Sequence, residues 1–262
     1  MRILLTNDDG IYAPGLLALY EVFSKTAQVD VVAPAAVESG GSHAITIHHP
    51  VMWRSVDVHH RFRGTAVEGT PADCVKLALY SLLPQKPDLV ISGLNAGLNT
   101  GIHVIYSGTV AAAIESGILG CPAIAVSLAI YPNMDFEKGA RIAKAVIDEV
   151  TRHSLAAGQV VNINIPEPKP GWPRGVRVAP QSIRPMPEEL EKRTDPNGRE
   201  YYWLGGDYSI LGDHSDTDRK ALHDGYICVT PLQFDLTDSA RLAEMRGWAW
   251  PNGDSLGSPT HP

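Results

Sequence analysis

Strand-like and helix-like segments alternate through the first 165 residues, and this alternation restricts the fold more than any other feature of the chain. The strand-like segments are short apolar runs rich in Val, Ile and Leu, as expected for strands buried on both faces. They cover residues 3–6, 29–33, 89–92, 123–127 and 160–165. Helical patterns cover residues 14–24, 71–83, 109–116 and 136–153. The alternation predicts an α/β fold with three α/β/α layers and a mostly parallel, Rossmann-like sheet.

The segment 45–67 interrupts this pattern, and its two strand-like runs, ITIHHPVMW and VDVHHRFRG, predict a short hairpin beside the main sheet. After residue 165 the composition changes again: prolines are frequent in residues 166–187 and exclude regular helix there. We therefore divide the chain into an α/β core that carries the site (1–165), an extended arm with a returning strand that belongs to the same domain (166–232), and a C-terminal tail (233–262). Residues 252–262 are rich in Gly, Ser and Pro and are expected to be disordered.

Composition excludes several classes of protein. The 262 residues carry a net charge of −7 and give a pI near 5.8, which does not suit a surface that wraps long nucleic acid. No apolar run approaches the roughly 20 residues of a membrane span. The opening MRILLTNDDG lacks the apolar core and cleavage site of a signal peptide. We expect a cytoplasmic protein that binds neither a membrane nor long nucleic acid.

Polar residues follow three of the predicted strands. Asp8 and Asp9 follow the first strand, Ser39 lies in the loop after the second, and Asn95 and Asn99 follow the 89–92 strand. Because ligands in open α/β sheets bind beyond the carboxyl ends of the strands, we expect these loops to converge. Carboxylate, hydroxyl and amide oxygens suit hard cations such as Mg²⁺, Mn²⁺ or Ca²⁺ better than zinc. Taken alone, Asp-Asp-Gly favours the alternative of an ordinary Asx-turn or helix cap.

A small-residue turn, Ser107-Gly108-Thr109, opens the Ala-rich helix. Such a turn exposes backbone N–H groups at the positive end of a helix and can hold a phosphate, although it can also be a plain helix cap. The converging loops contain no fixed cation, since Lys and Arg are absent from residues 3–24, 26–53 and 87–137. Two like charges about 4 Å apart repel by roughly 4 kcal/mol at an effective dielectric of 20, so a phosphate needs a bound metal ion to approach the two aspartates. Arginines from elsewhere, such as Arg54, Arg61 and Arg63, are further candidates for help.

Six segments together resemble the survival protein E (SurE) family of nucleotidases, and they span residues 1 to about 232. They are ILLTNDDGIYAPGL, VVAPAAVESGGSHAIT, GTPADCV, PDLVISGLNAGLNTG, VIYSGTVAAAIESG and TDRKALHDGYICVTPL. The resemblance implies a phosphomonoesterase that hydrolyses nucleoside 5′- and 3′-monophosphates with one divalent cation per subunit, Mg²⁺ or Mn²⁺. It also implies a homodimer or homotetramer assembled through the C-terminal arm.

The same resemblance assigns the site residues by position. The metal ligands would be Asp8, Asp9, Ser39 and Asn95. As a mechanistic hypothesis, whichever of Asp8 and Asp9 keeps a free oxygen would be the catalytic base. The substrate phosphate would lie near Asn99, Ser107, Gly108 and Thr109. Two departures from the family pattern bear on substrate contacts: residues 35–38 lack the usual arginines, and His103 stands where acidic residues are common. His103 either contacts substrate or faces solvent.

Three other functions compete with this interpretation. A phosphatase with a covalent aspartate nucleophile would need Asp-x-Asp after the first strand and a lysine after a later one, and neither occurs here. A non-catalytic nucleotide-binding module remains open, although GxGxxG after the first strand and GxxxxGK[ST] are absent. An acyl-transfer hydrolase is disfavoured because no GxSxG elbow follows any of the predicted strands.

Overall fold

The computed structural model describes residues 1–153, 155–185, 188–206 and 216–251. The strands are β1 (Arg2–Thr6), β2 (Gln28–Pro34), β3 (Met52–Val58), β4 (Phe62–Glu68), β5 (Leu89–Ala96), β6 (Ala123–Leu128), β7 (Val160–Ile165), β8 (Val176–Val178), β9 (Glu188–Thr194), β10 (Glu200–Gly206) and β11 (Ile227–Leu232). The helices are α1 (Pro14–Phe23), α2 (Pro71–Leu77), α3 (Gly108–Ile118), α4 (Phe136–Arg152), α5 (Asp218–His223) and α6 (Ser239–Arg246).

A mixed sheet forms the middle layer, with the strand order β3-β4-β2-β1-β5-β6-β7-β11-β8. The pairs from β4 to β7 are all parallel, whereas β3 and β11 run antiparallel to their neighbours β4 and β7. Apolar side chains on both faces of β1, β5, β6 and β7 are fully buried, because helices cover the sheet on both sides. This arrangement confirms the predicted three-layer α/β/α fold.

The helices form the two outer layers. Helices α1 and α4 pack together on one face of the sheet, and α2 packs against α3 on the other. Local sequence sets where they begin: Pro14 opens α1, and Thr70 and Asp73 form a reciprocal capping box at the start of α2. The predicted helix at 71–83 ends earlier than expected, because α2 passes into a π-helical turn at Ala78–Leu82.

The hairpin predicted at 45–67 is part of the main sheet rather than an element beside it. Strand β4 pairs in parallel with β2, where Val32 lies opposite Thr65, and β3 then forms the sheet edge. Strand β4 joins the core because it buries apolar side chains on both faces, Phe62 and Ala66 on one and Val67 on the other.

Strand β5 extends past the predicted 89–92, with a shift in register between Ser92 and Asn95. A side chain cannot occur at Gly93, where φ is +139° and a Cβ atom would lie 2.2 Å from the Val126 carbonyl oxygen. The irregularity places Asn95 opposite Ser127 at the end of the strand instead of in the loop that follows.

The C-terminal region adds β8 and β11 to the sheet and a separate hairpin, β9–β10. Residues 1–232 form one compact unit and residues 233–262 a second, which contains α6. The expectation of disorder at 252–262 concerns residues that lie outside the described ones. Among the helices of the described residues, none is long and apolar enough to cross a membrane.

Candidate functional site

The segments after β1, β2 and β5 meet the start of α3 at the carboxyl edge of the sheet. The Glu38 backbone N–H donates to the Asp8 carbonyl (2.8 Å), which joins the second loop to the first. The Ala96 backbone N–H lies 3.4 Å from Asp9 Oδ2, which brings the end of β5 to the same place. The Thr109 hydroxyl donates to Asp8 Oδ1 (2.5 Å). The aspartate pair therefore touches the other three segments, as expected for a site at the edge where β1 lies between β2 and β5.

Asp8 is buried, with 4% of its surface exposed, and Asp9 is half-buried. Burial raises the pKa of Asp8 above its ordinary value, the Thr109 hydroxyl opposes that change, and the adjacent Asp9 charge adds to it. Burial likewise raises the pKa of Asp9, and the Ala96 N–H partly offsets it. Both carboxylates have raised pKa values, so their ionised forms are unfavourable without a partner. A cation bound between them would neutralise this charge, which makes the pair a suitable cation-binding site.

Helix α3 approaches Asp8 closely only because residue 108 is glycine. A Cβ atom at Gly108 would lie 2.8 Å from Asp8 Cβ and 3.0 Å from Asp8 Oδ2. Ser107 caps the helix by accepting the Val110 N–H (3.1 Å), and both Ser107 and Thr109 are buried. The positive end of the helix is thus directed at the aspartate pair.

Ser39 and Asn95 are the two predicted ligands with neutral oxygen atoms. Ser39 is exposed in the loop after β2, one residue from the Glu38–Asp8 contact. Asn95 donates its side-chain Nδ2 to the Gly97 carbonyl (2.8 Å), which leaves its amide Oδ1 as the potential ligand. Within the part of the chain that the structure describes, no three His, Cys, Asp or Glu side chains form a metal-binding group. Two carboxylates with a hydroxyl and an amide oxygen nevertheless fit a hard divalent cation.

Asn99, predicted to lie near phosphate, belongs to a buried network of polar groups. Its backbone N–H donates to Asn164 Oδ1 (2.8 Å), and its carbonyl accepts from the side chains of Asn162 (2.8 Å) and Asn164 (3.0 Å). Its own Nδ2 donates to Ser127 Oγ (2.9 Å), which uses one of its two N–H groups. The sequence signal for this network was the alternation of asparagine with apolar residues in VVNINI of β7.

Asp218, at the start of α5, fixes the segment that joins Asn99 to α3. Its buried carboxylate accepts backbone N–H groups from Gly101 (2.7 Å), Ser182 (3.0 Å) and Arg219 (2.7 Å). Gln181 Nε2 also donates to the Gly101 carbonyl (2.7 Å). Sequence reasoning missed this contact, because Asp218 and Gly101 are 117 positions apart and no local sequence pattern predicts that they lie close together.

Two of the three arginines considered from the sequence as helpers form ion pairs at the surface. Arg54 pairs with Glu68 (3.4 Å) on the β3–β4 hairpin, and Arg61 pairs with Glu21 (2.6 Å) of α1. These ion pairs leave the acidic pair at the carboxyl edge without support from Arg54 or Arg61.

The raised pKa values predict how Asp9→Asn affects stability without divalent cations. As the pH rises through 3.8, the unfolded chain loses its Asp9 proton first, while the folded protein, whose Asp9 pKa is raised, retains it. The free energy of unfolding therefore falls with rising pH until the folded pKa is passed, and the loss persists above it. We expect Asp9→Asn to remove this loss, so that its stability relative to wild type increases with pH from about pH 4 and then levels off.

Urea unfolding in chelating buffer across a pH series measures that difference. The Asp148→Asn variant is the control, because the Asp148 carboxylate pairs with Lys144 of the same helix, α4, and not with residues of the site. A stability difference between Asp9→Asn and wild type that stays constant with pH would contradict the assigned origin of the shift.

Known proteins are similar to this chain in both sequence and fold. The family model described as survival protein SurE matches residues 3–188. Two relatives named 5′-nucleotidase SurE, from Christiangramia forsetii and Desulforudis audaxviator, are each 45% identical to it, over 94% and 95% of this chain and 96% and 97% of their own. The crystal structure of the SurE protein from Aquifex aeolicus matches with a TM-score of 0.82 at 36% identity, covering 94% of this chain and 98% of that one. The chain belongs to the SurE family.

Proposed function

We propose that this chain is a phosphomonoesterase that hydrolyses nucleoside 5′- and 3′-monophosphates to nucleoside and phosphate, with one Mg²⁺ or Mn²⁺ per subunit. The relatives' name, 5′-nucleotidase, supports the substrate class. The observation that carries the proposal is the meeting of Asp8, Asp9 and the start of α3 with the two neighbouring strand-end segments.

Asp8, Asp9, Ser39 and Asn95 would hold the cation. When bound, it supplies the positive charge that lets a phosphate dianion approach two carboxylates, together with Lewis acidity toward the phosphoryl group. The donor set supports this assignment because all its atoms are oxygens and the converging segments contain no lysine or arginine.

The two aspartates have different environments, which favours different roles for them. Asp8 is the more buried and accepts the Thr109 hydroxyl, so its carboxylate is held in one orientation. Asp9 is more exposed, and among the described residues its carboxylate has only the long Ala96 contact. We assign Asp9 as the base that accepts a proton from the attacking water. The water oxygen then bonds to phosphorus, the ester P–O bond breaks, and the leaving oxygen takes a proton from solvent.

The start of α3 would bind the phosphate. Backbone N–H groups in the first turn of a helix lack partners within the helix, and the helix dipole favours an anion there. Ser107, Gly108 and Thr109 form that turn, and the remaining N–H of the Asn99 side chain would add one donor. These groups stabilise charge that develops on the phosphoryl oxygens in the transition state.

The arm at 166–232 would join subunits into a homodimer or homotetramer. The β9–β10 hairpin supports this, because Tyr202, Trp203 and Leu204 of β10 are each more than half exposed. Light scattering of the purified chain gives the subunit count, and a strictly monomeric protein would contradict this part of the proposal.

A phosphate-release panel tests the activity. Each nucleoside 5′- and 3′-monophosphate is incubated with the protein in chelating buffer, then with Mg²⁺ or Mn²⁺ added. We expect phosphate release that requires the added cation. Recovery of bound, unchanged nucleotide after hours with either cation would instead identify a nucleotide-binding module, the competing function left open by the sequence.

A further inference from the structure

A buried acid in α3 connects three elements that surround the site. Glu115 is only 3% exposed, although it lies in the Ala-rich stretch of the helix. Its Oε2 lies 2.7 Å from His43 Nε2, in the segment after β2, and its Oε1 lies 2.5 Å from Lys76 Nζ of α2. Burial alone would raise the pKa of Glu115, but the contacts with His43 and Lys76 outweigh it and hold the pKa below its ordinary value. The acid is therefore ionised near neutral pH, and His43 Nε2–H donates to it.

The loop that carries Ser39 has little stiffness of its own. Gly40 and Gly41 follow Ser39, Gly40 has a φ of +76°, and no atom lies within 4 Å of where its Cβ would be. The position of Ser39 thus depends on what holds the loop on either side. On the amino-terminal side, the Glu38 N–H donates to the Asp8 carbonyl (2.8 Å).

On the carboxyl-terminal side, two consecutive residues attach the loop to the segment that leads into α3 and to α3 itself. The Ser42 backbone N–H donates to the Tyr106 carbonyl (3.1 Å), and its hydroxyl donates to the Ile105 carbonyl (2.8 Å). Ser42 has a φ of 54°, a conformation that is unfavourable for a non-glycine residue and persists only when neighbouring contacts impose it. The next residue, His43, makes the contact with Glu115.

We propose that His43 is a positioning residue for cation binding, acting through Glu115 to fix the Ser39 loop against the helix that holds Asp8. The same helix contributes both partners: Thr109 donates to Asp8 at its first turn, and Glu115 holds His43 about two turns later. One rigid helix thereby sets the distance between the acidic pair and the Ser39 hydroxyl. The inference rests on the proposed function, since Ser39 is a ligand only if the cation binds there.

Three substitutions of His43 separate positioning from simple stabilisation. His43→Ala removes the contact, and His43→Asn keeps a polar group but is too short to reach Glu115. His43→Gln places an N–H donor near the position of His43 Nε2 and should restore the contact. His48→Ala is the matched control, because His48 is an exposed histidine of the same connection between β2 and β3.

The first measurement needs neither cation nor activity. Amide hydrogen exchange of the cation-free protein reports on the Glu38 and Ser42 N–H groups, which are hydrogen-bonded in the structure. We expect the Ala and Asn variants to lose protection at these amides while the sheet amides stay protected, and the Gln variant to resemble wild type. Equal loss of protection throughout the protein, or none at all, would overturn the proposal.

The second measurement is Mn²⁺ affinity by calorimetry, without substrate. Loss of a group that orients ligands typically weakens metal binding 10- to 100-fold, so we expect about a tenfold weaker affinity for the Ala and Asn variants and recovery with Gln. A lower melting temperature with unchanged Mn²⁺ affinity would show that His43 is merely structural and would overturn the proposal. If the wild-type protein itself bound no Mn²⁺, the proposed function would fail, and the exchange measurement would still decide whether His43 holds the loop.

Discussion

Asp8→Asn is expected to abolish nearly all nucleotide hydrolysis while the protein still folds. The substitution removes one of the two negative charges proposed to bind the cation, yet the asparagine Oδ1 can still accept the Thr109 hydroxyl that Asp8 accepts now. We expect the rate of phosphate release to fall by roughly 10³-fold, which is the scale on which removal of one preorganised electrostatic group acts. Phosphate release from a nucleoside monophosphate at saturating Mn²⁺ measures the effect.

The stability of Asp8→Asn, measured with and without Mn²⁺, distinguishes loss of cation binding from loss of folding. Because burial raises the pKa of Asp8, the cation-free variant should be at least as stable as wild type at neutral pH. Added Mn²⁺ should raise the melting temperature of wild type, since a ligand that binds only the folded state stabilises it, but should raise that of Asp8→Asn much less. The surface variant Asp148→Asn should match wild type in both tests. Wild-type turnover by Asp8→Asn would contradict the assignment of Asp8.

Gly108→Ala is expected to have the second-largest effect, through geometry rather than charge. The new Cβ atom would lie 2.8 Å from Asp8 Cβ, so α3 or Asp8 must move by several tenths of an ångström. Either movement disturbs the Thr109–Asp8 contact and the helix terminus proposed to bind phosphate. We expect turnover to fall by about 10²-fold, which is the cost that a 1 Å misplacement near a reaction centre can reach.

The stability of Gly108→Ala should change less than its activity. Alanine favours a helix over glycine by about 0.8–1 kcal/mol in a helix interior, and the smaller part of that gain available at the first helical position offsets some of the steric cost. Gly205→Ala is a suitable control, since the nearest heavy atom to its Cβ would be 3.7 Å away. Urea unfolding and phosphate release, measured together, separate the two effects. Unchanged turnover in Gly108→Ala would show that close approach of α3 to Asp8 is not required.

The sequence predicted the central strands and their helices because buried parallel strands and amphipathic helices leave strong periodic patterns. The rule that ligands bind beyond the carboxyl ends of the strands predicted that the segments carrying Asp8, Ser39 and Asn95 would converge at one edge of the sheet. They did not predict the length of β5, since the register shift between Ser92 and Asn95 depends on how Gly93 packs against the Val126 carbonyl. They also did not predict that β4 would extend the sheet, because that pairing depends on the exposed edge of β2.

Side-chain contacts between distant segments were the least accessible to sequence reasoning. The Ser107–Thr109 turn was interpreted as a phosphate-binding element, and that remains a prediction. The structure adds that the Thr109 hydroxyl contacts Asp8, and that Glu115, six residues later, contacts His43. Neither contact has a local signature, because each requires the folded positions of two loops and a helix. A polar residue in an otherwise apolar helix, such as Glu115, was the signal that could have prompted the search.

The central claim is that one divalent cation binds where the segments after β1, β2 and β5 meet. Crystals of this protein soaked in Mn²⁺ and measured near the manganese absorption edge test it directly. We expect a single strong anomalous peak per subunit, in contact with oxygen atoms of Asp8, Asp9, Ser39 and Asn95. The absence of a peak there, or a peak bound only by other residues, would contradict it.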